Sequence, residues 1–266
     1  MDLPRLFVVA NETKPDALRA LADLKVWCQD RRIELVAADT PPRDAEGAVV
    51  LALGGDGTVL RAASLFQTSA IPILGINVGS LGFLTQAPLG ALTDALEHVL
   101  GDEFAIEERM RLGYEAGSTR GSVLNDLVVT GENDTTFCEL SLAWGDGHVA
   151  DYPGDGLIVA TATGSTAYSL SAGGPVIVPP AACILVTPHA SHRLGLRSIV
   201  FPPEEILHIV PRSDVRLIAD GDLVGRIEAG TEVLIRRFET PTRLVRLGGA
   251  LSFFGVLGEK LNWAGA

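Results

Sequence analysis

The feature that most constrains this chain is an unbroken apolar run, Ala48-Val-Val-Leu-Ala-Leu53, which ends in Gly54-Gly55-Asp56-Gly57-Thr58. A strand apolar on both faces belongs inside a parallel sheet covered by helices. Parallel strands need crossover connections, and the flanking sequence supplies them. Leu6 to Ala10 reads as a short apolar strand. Leu18, Leu21, Leu24 and Cys28 follow at spacings of three and four, the stripe of an amphipathic helix. Ile33 to Val36 is a second strand and Ala48 to Leu53 a third. A short helix from about Val59 to Leu65, a buried strand from Ile71 to Ile76 and a helix from about Leu89 to Val99 complete the series. Order of this β-α-β kind specifies an α/β layered domain.

After Gly101 the rhythm changes. Short apolar runs recur between turn signals: Arg111 to Ala116, Ser122 to Thr130, Glu139 to Trp144, Val149 to Tyr152, Leu157 to Ala160, Ile184 to Thr187, Ile206 to Val210, Val215 to Ala219 and Glu232 to Arg237. Gly145-Asp146-Gly147 and Asp220-Gly221 are hairpin-type turns. Long amphipathic helices are nearly absent, so the second half is an all-β domain with its boundary near residue 100. Phe253 to Trp263 returns to a helical pattern.

Charge narrows the partners. Lys plus Arg is 21 and Asp plus Glu is 33, giving a formal charge of −12. Such a field repels nucleic-acid backbones and anionic lipid, so a phosphate ligand needs a local pocket of backbone N–H groups, a few Arg side chains and a metal. Hydrophobic residues make up 47% of the chain and charged residues only 20%, which excludes a disordered polymer. Cys28, Cys138 and Cys183 are too few, and odd in number, for a disulfide scaffold, and none has CxxC spacing for zinc. The acidic, briefly apolar start MDLPRLFVVANE does not read as a signal peptide, and no apolar run approaches the roughly 20 residues that span a bilayer. A cytoplasmic protein is expected.

Four segments carry chemistry. GGDGT sits between a buried strand and a helix, where glycines let backbone N–H groups approach a phosphate. An Asp there repels the anion unless a hydroxyl or metal intervenes, so Asp56 is a candidate to accept a proton from an attacking hydroxyl or to hold Mg²⁺; a plain helix N-cap is the alternative. Gly75-Ile-Asn77-Val-Gly79-Ser80-Leu-Gly82-Phe83-Leu84 also follows a buried strand and falls at the same carboxyl edge of a parallel sheet, where ligands bind; a structural turn is the alternative. Asn125-Asp126, inside VLNDLVV, is either a bulge or turn, or a pair facing the polar edges of a nucleoside. In Asp155 to Pro175, DGLIVATATGSTAYSLSAGGP, small hydroxyl residues and glycines offer many donors with little bulk, and Tyr168 offers a ring for stacking. His189, His192, Arg193 and Arg197 form a basic cluster, read as a solvated loop, with a phosphate contact offered to a neighbouring subunit as the alternative.

Taken in that order and at those intervals, these four segments resemble the bacterial NAD kinases, the ATP/polyphosphate-dependent NAD kinase family. The similarity runs from the first strand to LGEKLNW at 257–263. GGDGT alone is shared with diacylglycerol kinases and phosphofructokinases; TGSTAYSLSAGGP is specific. The resemblance implies transfer of the γ-phosphate of ATP to the 2′-hydroxyl of the adenosine ribose of NAD, giving NADP, with a divalent cation (Mg²⁺ or Mn²⁺) whose ligands are left unassigned. Inorganic polyphosphate stays open as a donor. It also implies an α/β domain with a Rossmann-like parallel sheet over residues 1–100, a β-rich, sandwich-like NAD-binding domain over 101–240, and a segment 241–266 packing back on the first domain. A homodimer or homotetramer is implied as well.

By position, Asp56 matches the family's catalytic Asp. The NAD contacts fall on Asp56, Gly57, Arg61, Asn125, Asp126, Asp155, Thr163, Thr166, Ala167, Tyr168, Ser169, Leu170, Ser171 and Asp222. Gly54, Gly55, Gly57 and Thr58 would cradle the donor phosphates. Three positions depart from the family pattern: Ala162 stands where Pro is usual, Gln86 where an acid is common, and Asp222 where Gln is frequent. Two rivals are a lipid kinase of the diacylglycerol type, which lacks a basic amphipathic segment here, and a nucleotide-binding sensor without turnover, against which the intact Asp56 speaks.

Overall fold

The computed structural model describes residues 3, 5–38, 47–133 and 137–263. In chain order the first elements are β1 (Arg5–Ala10), α1 (Pro15–Arg31), β2 (Glu34–Ala37), β3 (Val49–Gly54), α2 (Asp56–Leu65), β4 (Ile73–Asn77), β5 (Ala87–Pro88), α3 (Leu92–Leu100) and β6 (Phe104–Arg109). Next come β7 (Leu112–Ala116), β8 (Thr119–Val123), β9 (Asp126–Gly131), β10 (Cys138–Trp144), β11 (Gly147–Gly154), β12 (Gly156–Ala160) and α4 (Tyr168–Ser171). They continue as β13 (Ile184–His189), β14 (Ile199–Phe201), β15 (Leu207–Pro211), β16 (Val215–Ala219), β17 (Asp222–Ile227) and β18 (Val233–Arg237). The chain closes with β19 (Thr242–Leu247) and α5 (Phe253–Leu261). It divides into two compact units, residues 1–108 with 242–266, and residues 109–241.

The first unit is an α/β layer. Its sheet runs β2-β1-β3-β4-β19-β6, with β5 beside β4, and the pairings from β2 to β19 are parallel. Every residue of β3 and β4 is buried, as an apolar run without alternation requires. Burial of each such Leu, Ile or Val contributes about 1.5–3 kcal/mol. Helix α1 turns a different face inward from the Leu18–Leu21 side of the expected stripe: Ala17, Ala20, Leu24 and Cys28 are buried, while Leu18 is 47% exposed. Small residues on the sheet side let the helix backbone sit close, which an alternation of leucines does not reveal.

The second unit is a sandwich of two six-stranded antiparallel sheets, β11-β10-β15-β18-β7-β8 and β14-β13-β12-β9-β16-β17. Both inner faces feed one cluster, with Leu112, Leu140 and Ile235 from one sheet and Val129, Leu157 and Leu217 from the other. Strands β10 and β16 alternate buried and half-buried residues, as a sheet with one covered face should, whereas β9 and β12 are buried throughout. Helix α4 lies against β12 and covers part of its second face.

One expected strand is corrected. The run Ser122 to Thr130 is not continuous: β8 ends at Val123, β9 begins at Asp126, and the two strands belong to different sheets. Apolar sequence on both sides hides the break, because each half is buried in its own sheet.

Candidate active site

The parallel pairing of β3 and β4 sets Gly54 opposite Asn77, so the two glycine-rich loops leave the same carboxyl edge side by side. Helix α2 begins at Asp56, three residues earlier than the apolar pattern indicates, with Gly55 as its cap. Asp56 is therefore the first helical residue rather than the N-cap, and its side chain caps nothing in its own helix. Its carboxylate instead reaches the second loop: Oδ2 accepts the Phe83 N–H and Oδ1 the Leu84 N–H, each at 2.9 Å. A Cβ on Gly82 would overlap that carboxylate, which gives the glycine a packing reason.

The glycines of GGDGT divide by the same test. A Cβ on Gly54 would collide with the Thr58 side chain, and both residues are buried, so their contact is internal. At Gly55 and Gly57 a Cβ would meet nothing within 4 Å. These two face open space at a helix N-terminus, where unpaired N–H groups suit a phosphate. Arg61 is exposed on α2, with one guanidinium nitrogen 3.5 Å from the Ala10 carbonyl.

Two further groups here escape a reading of the sequence. Lys14 Nζ donates to the Val78 carbonyl, placing a cation at the second loop. Asn77 donates from Nδ2 to the Gly79 carbonyl at 3.0 Å, while its buried Oδ1 has no hydrogen-bond partner among the described residues. Asn77 belongs to the second glycine-rich motif, but nothing in a linear pattern singles out an orphaned oxygen. No group of three His, Cys, Asp or Glu side chains among the described residues can hold a metal alone. The Asp56 carboxylate and the Asn77 Oδ1 fit a hard divalent cation that takes most of its ligands from phosphates and water.

In the sandwich, the break between β8 and β9 presents half-buried Asn125 and buried Asp126. The Asn125 carbonyl accepts the Thr161 N–H at 2.9 Å, and the Thr161 hydroxyl donates to the Leu124 carbonyl at 2.6 Å. Gly164 sits so close to the Asn125 backbone that a Cβ would overlap it. The third and fourth motifs are thus one packed assembly. Asp126 also reaches α4, where its carboxylate accepts the Tyr168 backbone N–H.

Within the fourth motif the hydroxyls split into two sets. Ser165 donates to the Ala162 carbonyl at 2.7 Å and accepts from Ile177 N–H at 2.9 Å; Ser169 pairs with the Thr187 hydroxyl at 2.8 Å. Both are fully buried and hold the loop's shape, Ser169 included although the sequence places it among the NAD contacts. Thr163 is buried and accepts from the Arg109 guanidinium at 3.0 Å, and Thr166 donates to the Thr163 carbonyl at 3.3 Å. Thr166, Ala167 and Leu170 are half-buried, Ser171 and Asp222 exposed, and Asp155 half-buried at the β11–β12 junction. Tyr168 is 42% exposed, with its hydroxyl 2.8 Å from His189 Nε2. His189, the last residue of β13, thereby leaves the basic cluster read from the sequence and pairs with Tyr168. Of the departures from the family pattern, Gln86 is buried, and its Oε1 accepts the Leu247 N–H of β19 at 3.3 Å.

Two carboxylates dominate the electrostatics of this region. Burial, followed by the negative charge of Asp220, pushes the Asp126 carboxyl up to about 7 from an ordinary 3.8, against the pull of the Tyr168 N–H. Burial also raises Asp220, opposed by the amides of Leu124, Asn125 and Asp126 and by Arg111. Arg111 is in turn lowered to about 10, mainly by burial.

Comparison with known proteins converges on one family. The model described as "ATP-NAD kinase N-terminal domain" matches residues 7–104, and "ATP-NAD kinase C-terminal domain" matches residues 124–247. The NAD kinase of Heliobacterium modesticaldum is 36% identical, covering 98% of this chain and 99% of that protein. The NAD kinase of Syntrophotalea carbinolica is 35% identical over 98% and 99% of the two chains. Among solved structures, an Archaeoglobus fulgidus NAD kinase in complex with ATP aligns with a TM-score of 0.78 at 26% identity, over 97% of this chain and 98% of that one. Yeast NADH kinase complexed with NADH aligns with a TM-score of 0.89, over 99% of this chain and 89% of that one; at 20% identity it speaks to the fold.

Proposed function

The chain belongs to the NAD kinase family, and we propose that Asp56 is the carboxylate that orients and deprotonates the 2′-hydroxyl of NAD's adenosine ribose. The enzyme is an ATP-dependent kinase that converts NAD to NADP. As the ribose oxygen bonds to the γ-phosphorus, the bond to the β-phosphate oxygen breaks, ADP leaves, and the hydroxyl proton passes to the Asp56 carboxylate.

One observation carries this reading: both Asp56 oxygens are fixed by loop amides, from Phe83 and Leu84, at the edge where the two glycine-rich loops emerge. A carboxylate has about four lone-pair positions, so two remain, one for the hydroxyl and one for a cation. Fixing a proton acceptor in place supplies the positioning on which phosphoryl transfer chiefly depends. Gly55 and Gly57, with open space before them, suit the donor phosphates, and Arg61 and Lys14 supply positive charge near an acidic chain's most anionic ligand. Asp56 and Asn77 would hold the divalent ion, Mg²⁺ or Mn²⁺, together with phosphate oxygens; when bound it neutralises charge on the transferring group. Asn125, Asp126, Asp155, Thr163, Thr166, Ala167, Tyr168 and Ser171 are assigned to NAD. The resemblance further implies a cytoplasmic homodimer or homotetramer, and light scattering of the purified protein tests the oligomeric state.

The decisive assay incubates the protein with ATP, Mg²⁺ and NAD and reads NADP with an NADP-specific dehydrogenase. NADP should accumulate, and polyphosphate in place of ATP settles the donor. Absence of NADP with retained NAD binding would return the sensor reading.

A further inference from the structure

The Asp220-Gly221 turn joining β16 to β17 has positive φ at both residues, 48° and 95°. That is a two-residue hairpin connection of the I′ kind, which asks nothing of its first side chain beyond tolerance of that backbone. Yet the Asp220 carboxylate leaves its own hairpin. Oδ2 accepts the Leu124 N–H at 2.8 Å, and Oδ1 accepts the N–H groups of Asn125 at 2.8 Å and Asp126 at 3.1 Å. The Asp220 N–H donates back to the Asp126 carbonyl at 3.0 Å.

With the Thr161 bonds to the carbonyls of Leu124 and Asn125, all three N–H groups and all three carbonyls of Leu124–Asp126 are paired. This segment carries the chain from β8 in one sheet to the start of β9 in the other, and its three amides are taken by the Asp220 carboxylate rather than by a strand. Left open, its amides would compete for water or for any polar ligand. Closed by one carboxylate, the segment has only the side chains of Asn125 and Asp126 to offer. Arg111, whose positive charge acts on Asp220, helps keep that carboxylate in place.

We propose that Asp220 is a positioning residue for NAD: without touching the nucleotide, it holds Asn125 and Asp126 in their binding geometry. This rests on the assignment of the Asn125–Asp126 pair to NAD made above.

The test is steady-state kinetics on the full chain with Asp220→Ala and Asp220→Asn, varying NAD and ATP separately, alongside thermal melts. Losing a charge-assisted acceptor shared by three amides should raise KM for NAD about tenfold or more in Asp220→Ala. KM for ATP should stay within about twofold, since the ATP-side loops are untouched. Asp220→Asn keeps one acceptor oxygen and should fall between Asp220→Ala and the wild type; it also decides the matter if Asp220→Ala does not fold. The proposal is overturned if both variants leave KM for NAD unchanged, if they only lower the melting temperature, or if KM for NAD and ATP rise together. Asn125→Ala and Asp126→Asn run in parallel separate the two layers. If these raise KM for NAD and the Asp220 variants do not, the positioning role alone fails. If these too leave it unchanged, the assignment of the pair to NAD fails and takes the positioning role with it.

Discussion

At the carboxyl edge of the parallel sheet, Asp56 receives two backbone amides, from Phe83 and Leu84; in the sandwich, Asp220 receives three, from Leu124, Asn125 and Asp126. The bonding is the same and the direction of service is opposite. On the proposed reading, a glycine-rich loop in the first unit holds a carboxylate for its chemistry, and that carboxylate is half-buried. In the second, on the same reading, a carboxylate holds a loop for the sake of its Asn125 and Asp126 side chains. The surroundings match these roles, for Asp220 stands beside another acid, Asp126, and each is pushed up by burial. Both carboxylates are half-buried, so what separates them is not exposure but their company: Asp220 has a second acid and Arg111 acting on it, Asp56 the amides of a glycine-rich loop.

Asp56→Asn attacks the first arrangement at its centre. The amide still fills the space but no longer accepts the hydroxyl proton, so kcat should fall by roughly 10²–10⁴ while NAD binding by calorimetry persists. Unchanged turnover would remove Asp56 from the chemistry. Next come the two glycines that abut these assemblies. In Gly82→Ala the new methyl pushes on the Asp56 carboxylate, and displacement of the acceptor should lower kcat about 10- to 100-fold. In Gly164→Ala the methyl pushes on the Asn125 backbone; KM for NAD should rise and stability drop by about 1–3 kcal/mol. If both variants changed the same kinetic constant, the division of labour between the units would be wrong.

A smaller effect is expected from pH. Because the folded chain holds the Asp126 proton up to about 7 rather than 3.8, this group's contribution to stability is fully present below about pH 4 and is lost as pH rises toward 7. Asp126→Asn removes that loss, on the order of a few kcal/mol. Its melting temperature relative to wild type should climb between pH 5 and pH 8, and a constant difference across that range would show that burial does not hold the Asp126 carboxyl up. The least change is expected at Asp222, which is exposed at the start of β17. Asp222→Gln removes one screened negative charge and should strengthen product inhibition by NADP no more than about threefold. No change would detach this side chain from the ligand.

Much of the fold is legible in the linear chain. The apolar runs at β3 and β4 and the glycines that follow them announce a parallel sheet and its ligand edge, because a strand buried on both faces has only one kind of home. The strands missing from the sequence pattern are β5, only two residues long, and β6, β14, β17 and β19. β14 and β17 lie at sheet edges, and β19 carries Arg243 and Arg246 among its apolar residues. Edge and mixed-charge strands lack the uninterrupted apolar signal on which such reading depends. The break at Leu124–Asn125 is equally hidden, since apolar residues flank it on both sides.

The candidate site shows the same boundary. Asp56, Asn125, Asp126 and Tyr168 stand out as polar groups in apolar or glycine-rich settings, a property of the linear chain. That Ser169 faces Thr187, that Asn77 leaves an oxygen unpaired, and that Asp220 closes the amides of a segment 94 to 96 residues away could not be read there. Residue types and local spacing fix what chemistry a segment can offer and which element carries it. Which hydroxyl is spent on the fold and which is left for a ligand depends on what another strand brings within 3 Å, and hydrogen-bond partners distant in sequence leave no periodic trace.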